Sequence, residues 1–180
     1  KRRASREEIQ RLLQESANLF ADEGAVDGTS LADLDLREFR ELYERRIKES
    51  FDESSTPVET LLENMKLMVN GKCTLAGLLL LGKKPQYKRP SYVVKAVSYV
   101  GSDPAGSEYK DSRDIEGTIP QMFKASIAFL TNNLRMLQKD QDFNSIGILE
   151  IPRVALEEAV MNALVHRNYY IASNIRIFIF

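Results

Sequence analysis

Hydrophobic residues recur along this chain at two spacings, and each spacing predicts a different element. Where apolar side chains return every three or four residues, one face of the segment is apolar and an α-helix is expected. Together with capping and proline signals, this spacing predicts helices over residues 6–20, 37–50, 57–68, 75–82, 120–137 and 153–167. The segment 75–82 is apolar on every side, so we expect it to be the most buried part of the chain.

Strands are predicted where Val, Ile, Tyr and Phe are concentrated or alternate with polar residues. These segments are 91–101, 108–115, 146–151 and the end of the chain from Ile175. Residues 69–72 are expected to form a turn, and residues 82–90 a loop punctuated by two prolines. The pattern predicts an α+β fold: a helical middle region with a small antiparallel strand pair, followed by strand, helix and strand.

Composition narrows the class of protein. Of 180 residues, 43% are hydrophobic and 28% charged, which is typical of a folded globular protein. The 25 basic and 26 acidic residues give a net charge of −1, so binding to nucleic acid or to an anionic membrane would need a local patch. The single cysteine, Cys73, excludes an internal disulfide and suits a reducing cytoplasm. No apolar run is long enough to span a bilayer, so we expect no membrane partner.

The two ends suggest a fragment of a larger protein. The chain begins at Lys1 without an initiator methionine, and it stops at Phe180 inside an alternating, strongly apolar segment. Such a strand is expected to need neighbours on both sides.

The clearest candidate chemistry lies on the predicted helix 153–167. Glu158, Asn162 and His166 are four residues apart each time, which places the three side chains in one line on one face. A carboxylate and an amide one turn apart could orient a water molecule and coordinate Mg²⁺. The alternative is a solvated Glu, an Asn bonded to a loop and a His that complements the helix dipole, and spacing alone favours that alternative.

The residues around this line resemble a known signature. The segment 155–169, ALEEAVMNALVHRNY, is similar to the signature of RecG-related transcriptional regulators, which join a Schlafen AlbA-like DNA-binding domain to a GHKL-type ATPase domain. The segment 73–86, CTLAGLLLLGKKPQ, resembles a second motif of that family, and 4–13, ASREEIQRLL, resembles the end of the AlbA-like domain.

The resemblance implies a domain order and a set of roles. Residues 1–30 would close an AlbA-like domain, 31–142 would form a middle α+β region, and 143–180 would begin a truncated GHKL-like ATPase domain. Glu158 would be the catalytic acid and Asn162 the Mg²⁺ ligand, with His166, Arg167 and Tyr169 as further residues of the cofactor site. The implied partners are ATP, Mg²⁺ and DNA in a cytoplasmic protein, and a homo-oligomer is left open.

Two departures from the family pattern limit these expectations. Asn168 stands where the family usually has Asp, so any salt bridge or cap made by that residue is in doubt. The Asp-x-Gly-x-Gly loop that reads adenine and the Gly-rich phosphate lid are both missing from the 180 residues. We therefore expect this chain by itself to bind ATP poorly. Whether the whole protein is an enzyme stays open, and the alternative is a structural or oligomerisation module with a degenerate nucleotide site.

A second, weaker candidate is basic. Lys83, Lys84, Lys88 and Arg89, with Lys95 and two tyrosines nearby, could contact the phosphates of a nucleic acid. A solvated loop is the favoured interpretation of the same residues. The chain has no phosphate-binding P-loop and no GxGxxG or GxSxG motif, and its one histidine excludes multi-histidine metal sites.

Overall fold

The computed structural model describes residues 4–6, 8–9, 12, 20–101, 108–138 and 147–180, and the chain packs as two compact units, 1–83 and 84–180. The predicted α+β fold is confirmed. The boundary at 83/84 reflects packing, whereas the boundaries predicted at 30/31 and 142/143 come from a resemblance and stay predictions. Within the described part of the chain, every helix is too short or too polar to cross a membrane.

The first unit is mainly helical. Ser5 and Glu8 form a capping box near its start, because Ser5 N donates to Glu8 Oε2 at 2.7 Å and Glu8 N donates to Ser5 Oγ at 3.1 Å. Most of the predicted helix 6–20 lies outside the described residues. The elements that follow are a 3₁₀ turn at Leu31–Asp33, α1 (Leu36–Ile47), a 3₁₀ turn at Phe51–Glu53, α2 (Val58–Asn64), β1 (Met68–Val69), β2 (Lys72–Cys73) and α3 (Leu75–Leu81).

The predicted turn at residues 69–72 joins β1 and β2 in a short antiparallel hairpin. Its two central residues, Asn70 and Gly71, have φ of 50° and 73°. A turn with positive φ at both central residues matches the right-handed twist of the strands. Asn and Gly adopt positive φ with little steric strain. The hairpin leads directly into α3, which Thr74 caps by accepting a hydrogen bond from Gly77 N at 3.0 Å.

Helix α3, in the segment predicted to be the most buried, has five of its seven residues buried. Leu75, Leu78, Leu79 and Leu81 are all at most 5% exposed. Gly77 lies against the backbone carbonyl of Leu67, where a Cβ atom would collide with the carbonyl oxygen. The close approach of helix and chain therefore depends on glycine at this position.

The second unit is a three-stranded sheet with helices on one face. Its elements are α4 (Pro85–Lys88), β3 (Val94–Tyr99), β4 (Tyr109–Ile115), α5 (Ile119–Asn133), β5 (Met136–Leu137), β6 (Ile148–Leu149), α6 (Arg153–Val165) and β7 (Ile175–Ile179). The sheet order is β4-β3-β7, with β3 antiparallel to β4 and parallel to β7. Helices α5 and α6 cover the face that carries Val94, Ala96, Ile115, Ile175 and Ile177.

Three predictions in this unit are wrong, one about the type of an element and two about the extent of an element. Residues 85–88 form a short helix, not a loop, because Pro85 occupies the first helical turn and Gln86 is bonded to Gly117 and Tyr92 at 2.9 Å. The helix predicted to residue 137 ends at Asn133, since Met136–Leu137 pair with Ile148–Leu149. The strand predicted over 146–151 is limited to residues 148–149, and Ile146 lies outside the described residues.

Strand β7 is the apolar segment that the sequence predicts to need a neighbour on each side. It pairs with β3 along one edge, and among the described residues its other edge has no partner. None of its five residues is fully buried, although three of them contact the core.

Candidate functional site

Helix α6 carries the candidate site, and the predicted line of Glu158, Asn162 and His166 is exposed along it. The buried face of the helix consists of Leu156, Val160 and Leu164. The three residues of the exposed line each come two positions after a buried residue of this face. Two positions correspond to a rotation of about 200° around the helix axis. The line therefore lies on the side of α6 that faces away from the hydrophobic core.

The oxygen atoms of Glu158 and Asn162 are available to a ligand. Within the described residues, neither side chain makes a hydrogen bond or ion pair, whereas the adjacent Glu157 is bonded to Arg153 at 2.7 Å. His166 ends the helix, and its backbone N–H donates to Asn162 O at 2.9 Å. A carboxylate and an amide one turn apart offer two oxygen donors on one surface.

This donor set fits a largely hydrated magnesium ion. Mg²⁺ keeps several waters and takes one or two protein oxygens together with the phosphates of a nucleotide. The described residues hold no cluster of three or more His, Cys, Asp or Glu side chains that could bind a metal by themselves. A site built on Glu158 and Asn162 would therefore depend on the nucleotide for its other ligands.

An apolar cleft lies beside the exposed line. It has a volume of about 290 Å³ and lies between α6, α5 and the strands β3 and β7, with Leu130, Leu156, Ala159, Ala163 and Ile177 among its walls. Glu158 directly precedes Ala159, and Asn162 directly precedes Ala163. Neighbouring residues are about 100° apart around the helix axis, so the two polar side chains lie beside the cleft and outside it. The cleft can hold an apolar or aromatic group, and the two oxygen donors are placed near its rim.

Arg167 and Tyr169, predicted by resemblance to contact a cofactor, are engaged in internal contacts. The Arg167 guanidinium carbon lies 4.6 Å from the ring centroid of Tyr92 and 5.1 Å from that of Tyr169. Its Nη2 donates to the carbonyls of Ser173 at 2.6 Å and Ile171 at 3.3 Å. These contacts fix the chain that leaves α6.

Two tyrosine hydroxyls complete this arrangement, which we call the tyrosine clasp (Tyr92, Arg167 and Tyr169). Tyr92 Oη donates to Tyr169 O at 2.6 Å, and Tyr169 Oη donates to Leu164 O at 2.5 Å. The two rings meet edge to face at 5.5 Å. The clasp joins the end of α6 to the start of β3, which gives Arg167 and Tyr169 an architectural role; their contact with a cofactor stays a prediction.

The predicted basic candidate is divided between the two units. In the first unit, Lys83 Nζ donates to Ala32 O at 2.8 Å. In the second, Lys84 lies 5.0 Å from the ring centroid of Tyr87, and Arg89 donates to Lys88 O at 3.1 Å. Because Lys83 belongs to the first unit and the other three residues to the second, the structure describes no surface common to all four, and nucleic-acid binding here stays a prediction.

Comparisons with known proteins support the fold and leave the function open. Residues 10–95 match the model of a domain of unknown function, DUF8451. The crystal structure of the DIP2311 protein from Corynebacterium diphtheriae is similar over 98% of this chain, with a TM-score of 0.52 and 17% sequence identity. Our chain covers 33% of that protein's length. No curated protein matches the chain. At this level of identity the similarity concerns the fold alone: the chain resembles in fold about one third of the DIP2311 protein.

Proposed function

We propose that this chain belongs to a RecG-related transcriptional regulator with an AlbA-like DNA-binding domain, and that α6 contributes to a GHKL-type ATP site. The observation that carries the proposal is the pair Glu158 and Asn162. Both are exposed, both lie beside an apolar cleft, and neither is bonded to another described side chain. The segment 155–169 that resembles the family signature contains this pair.

In this proposal each residue has one task. Asn162 would hold the metal through its side-chain oxygen, which matches the preference of Mg²⁺ for neutral and anionic oxygen ligands. Glu158 would orient a water molecule near the terminal phosphate, the position of a general base. The bound metal would neutralise charge on the phosphates. The tyrosine clasp keeps the end of α6 in place, so that the two oxygen donors stay one turn apart.

The 180 residues by themselves are expected to bind ATP weakly. They lack an Asp-x-Gly-x-Gly loop and a Gly-rich lid, and the cleft is lined mainly by apolar side chains that cannot recognise the adenine edge. The DNA-binding activity in this proposal rests on the resemblance alone.

One observation favours a different function, that of a structural or oligomerisation module. On α6, Val154, Met161 and Val165 are 74%, 41% and 49% exposed, on the side away from the core. An apolar stripe on a solvent-facing helix is typical of a surface that another protein segment covers.

Calorimetric titration of Mg·ATP into the full-length protein distinguishes the two functions. We expect Mg²⁺-dependent binding that is lost in Asn162→Ala and retained in Asn132→Ala, a matched variant at an exposed asparagine of α5. Absence of binding by the unaltered protein, or equal binding by both variants, would contradict the ATP site and favour the module.

A further inference from the structure

The outer face of the three-stranded sheet has a composition that the ATP proposal leaves unexplained. Side chains alternate along β3, so that Val94, Ala96 and Ser98 are buried beneath the helices. Lys95, Val97 and Tyr99 therefore point to the opposite face. In the parallel pairing with β7, Lys95 is opposite Arg176 and Val97 is opposite Phe178, which brings these residues to the same outer face.

Aromatic rings cover one end of this face. The rings of Tyr99 and Phe180 stack nearly parallel, 5° apart in orientation, with centroids separated by 5.3 Å. Phe178 lies 6.0 Å from Tyr99 and 6.4 Å from Phe180. Tyr109 is paired with Tyr99 across the β3–β4 ladder and is 63% exposed. We call these four residues the aromatic face.

Three of these rings, Tyr99, Phe178 and Phe180, contact one another, yet the two phenylalanines remain accessible. Phe178 is 47% and Phe180 46% exposed. Large aromatic side chains in a folded protein are usually buried to a greater extent. A cluster of exposed rings on one face of a sheet is typical of a binding surface.

Cations adjoin the aromatic face. Arg176 and Lys95 are side by side, two residues along the strands from Phe178 and Val97, or about 7 Å away. Arg176 donates from Nε to Asn174 at 3.1 Å, which leaves its two Nη groups at the surface within the described structure. Asp114 forms an ion pair with Lys95 at 2.9 Å. Among the described residues Arg176 makes no ion pair, so its positive charge lies beside the rings without a carboxylate partner.

We propose that the outer face of this sheet binds single-stranded nucleic acid. Exposed rings beside cations match its chemistry, because bases stack on aromatic rings and phosphates pair with lysine and arginine. Bases of a duplex are stacked on each other and cannot reach the rings, so the face selects unpaired strands. The proposal uses residues of the second unit only and does not depend on ATP binding.

The test is fluorescence anisotropy with a labelled thymidine oligonucleotide of about 15 nucleotides, long enough for one such site. Phe178→Ala and, separately, Phe180→Ala are each expected to weaken binding by about 5- to 150-fold, the measured range for loss of one base-stacking ring. Phe180 follows the last residue of β7, so its variant keeps every pair of the sheet. Arg176→Gln is expected to reduce the slope of log affinity against log salt by about 0.7, the contribution of one phosphate contact.

Phe20→Ala is the matched control, because Phe20 is a 52% exposed aromatic residue of the first unit that belongs to neither nucleic-acid candidate, and its removal should leave affinity unchanged. Tyr87, 78% exposed beside Lys84, tests the basic candidate instead. Loss of binding in Tyr87→Ala but not in Phe178→Ala would overturn the proposal and move the site to the basic residues at and beside α4.

Two further results would also overturn it. Equal affinity for a duplex of the same length would show that the rings do not stack on bases. Absence of oligonucleotide binding, together with a dimer that Phe178→Ala converts to a monomer in sedimentation, would show that a second copy of the chain covers this face.

Discussion

Helices α3 and α6 are both rich in apolar residues, yet the structure uses them differently. In α3, four leucines are buried and one glycine allows the backbone of Leu67 to approach. In α6, one stripe is buried, and the rest of the surface carries Val154, Met161, Glu158 and Asn162 in exposed positions. The difference teaches that apolar composition alone does not locate the core. A helix whose apolar residues exceed what its own unit buries has surface left for a ligand or a partner.

Truncating one apolar side chain in each helix should give the largest difference in stability between α3 and α6. Leu78 is 1% exposed, so Leu78→Ala removes buried methyl groups and leaves a cavity, and we expect the free energy of unfolding to fall by about 2–5 kcal/mol. Val154→Ala on α6, at a 74% exposed position, should change it by less than about 0.5 kcal/mol. Urea denaturation of both variants checks this, and similar losses in the two would contradict the contrast.

The tyrosine clasp gives α6 a polar attachment that α3 does not need. Tyr169→Phe removes the hydroxyl that donates to Leu164 O at 2.5 Å, and we expect a loss of about 0.5–1.5 kcal/mol in unfolding free energy. The thermal unfolding midpoint, measured by circular dichroism, should fall accordingly. Tyr87→Phe, at an exposed tyrosine, serves as the control, and an unchanged midpoint in Tyr169→Phe would mean that apolar burial alone holds the helix.

The smallest effect concerns one carboxylate in each unit. The backbone N–H of Arg37 bonds to Asp35 and lowers the pKa of its carboxyl, and the Asn133 amide lowers the pKa of Asp111. A pKa that is lower in the folded state adds stability above the unfolded pKa near 3.8, and this contribution disappears as the pH falls through the folded pKa. The stability difference between wild type and Asp35→Asn should therefore shrink between pH 5 and pH 3, about the range of carboxyl titration. Because Asn is also a good N-cap residue, Asp35→Asn keeps the cap and removes only the negative charge. A difference that is independent of pH would contradict this account.

Local signals predicted the local elements well. The bounds of α3 follow from Thr74 and the leucine run, and the exposed line on α6 follows from the spacing of Glu158, Asn162 and His166. The role of α6 in an ATP site is not tested by the fold.

Long-range contacts could not be predicted in the same way. Helix α5 ends at Asn133 because Met136 pairs with Leu149, a partner outside the helix pattern. The clasp joins Arg167 to Tyr92, and the aromatic face joins Phe178 to Tyr99, in both cases through the pairing of distant strands. The spacing of hydrophobic residues indicates the type of a segment and which of its faces is buried. It does not indicate which strands pair with each other.

The parallel pairing of β3 with β7 also affects how the second unit folds. The β3–β4 hairpin is local and can form early, whereas β7 joins β3 only after the chain has passed through both α5 and α6. Closing such a long loop costs chain entropy before any strand contact offsets it, so high contact order slows this step. The cleft and the aromatic face both need β7, and they are therefore expected to be among the last features to appear during folding.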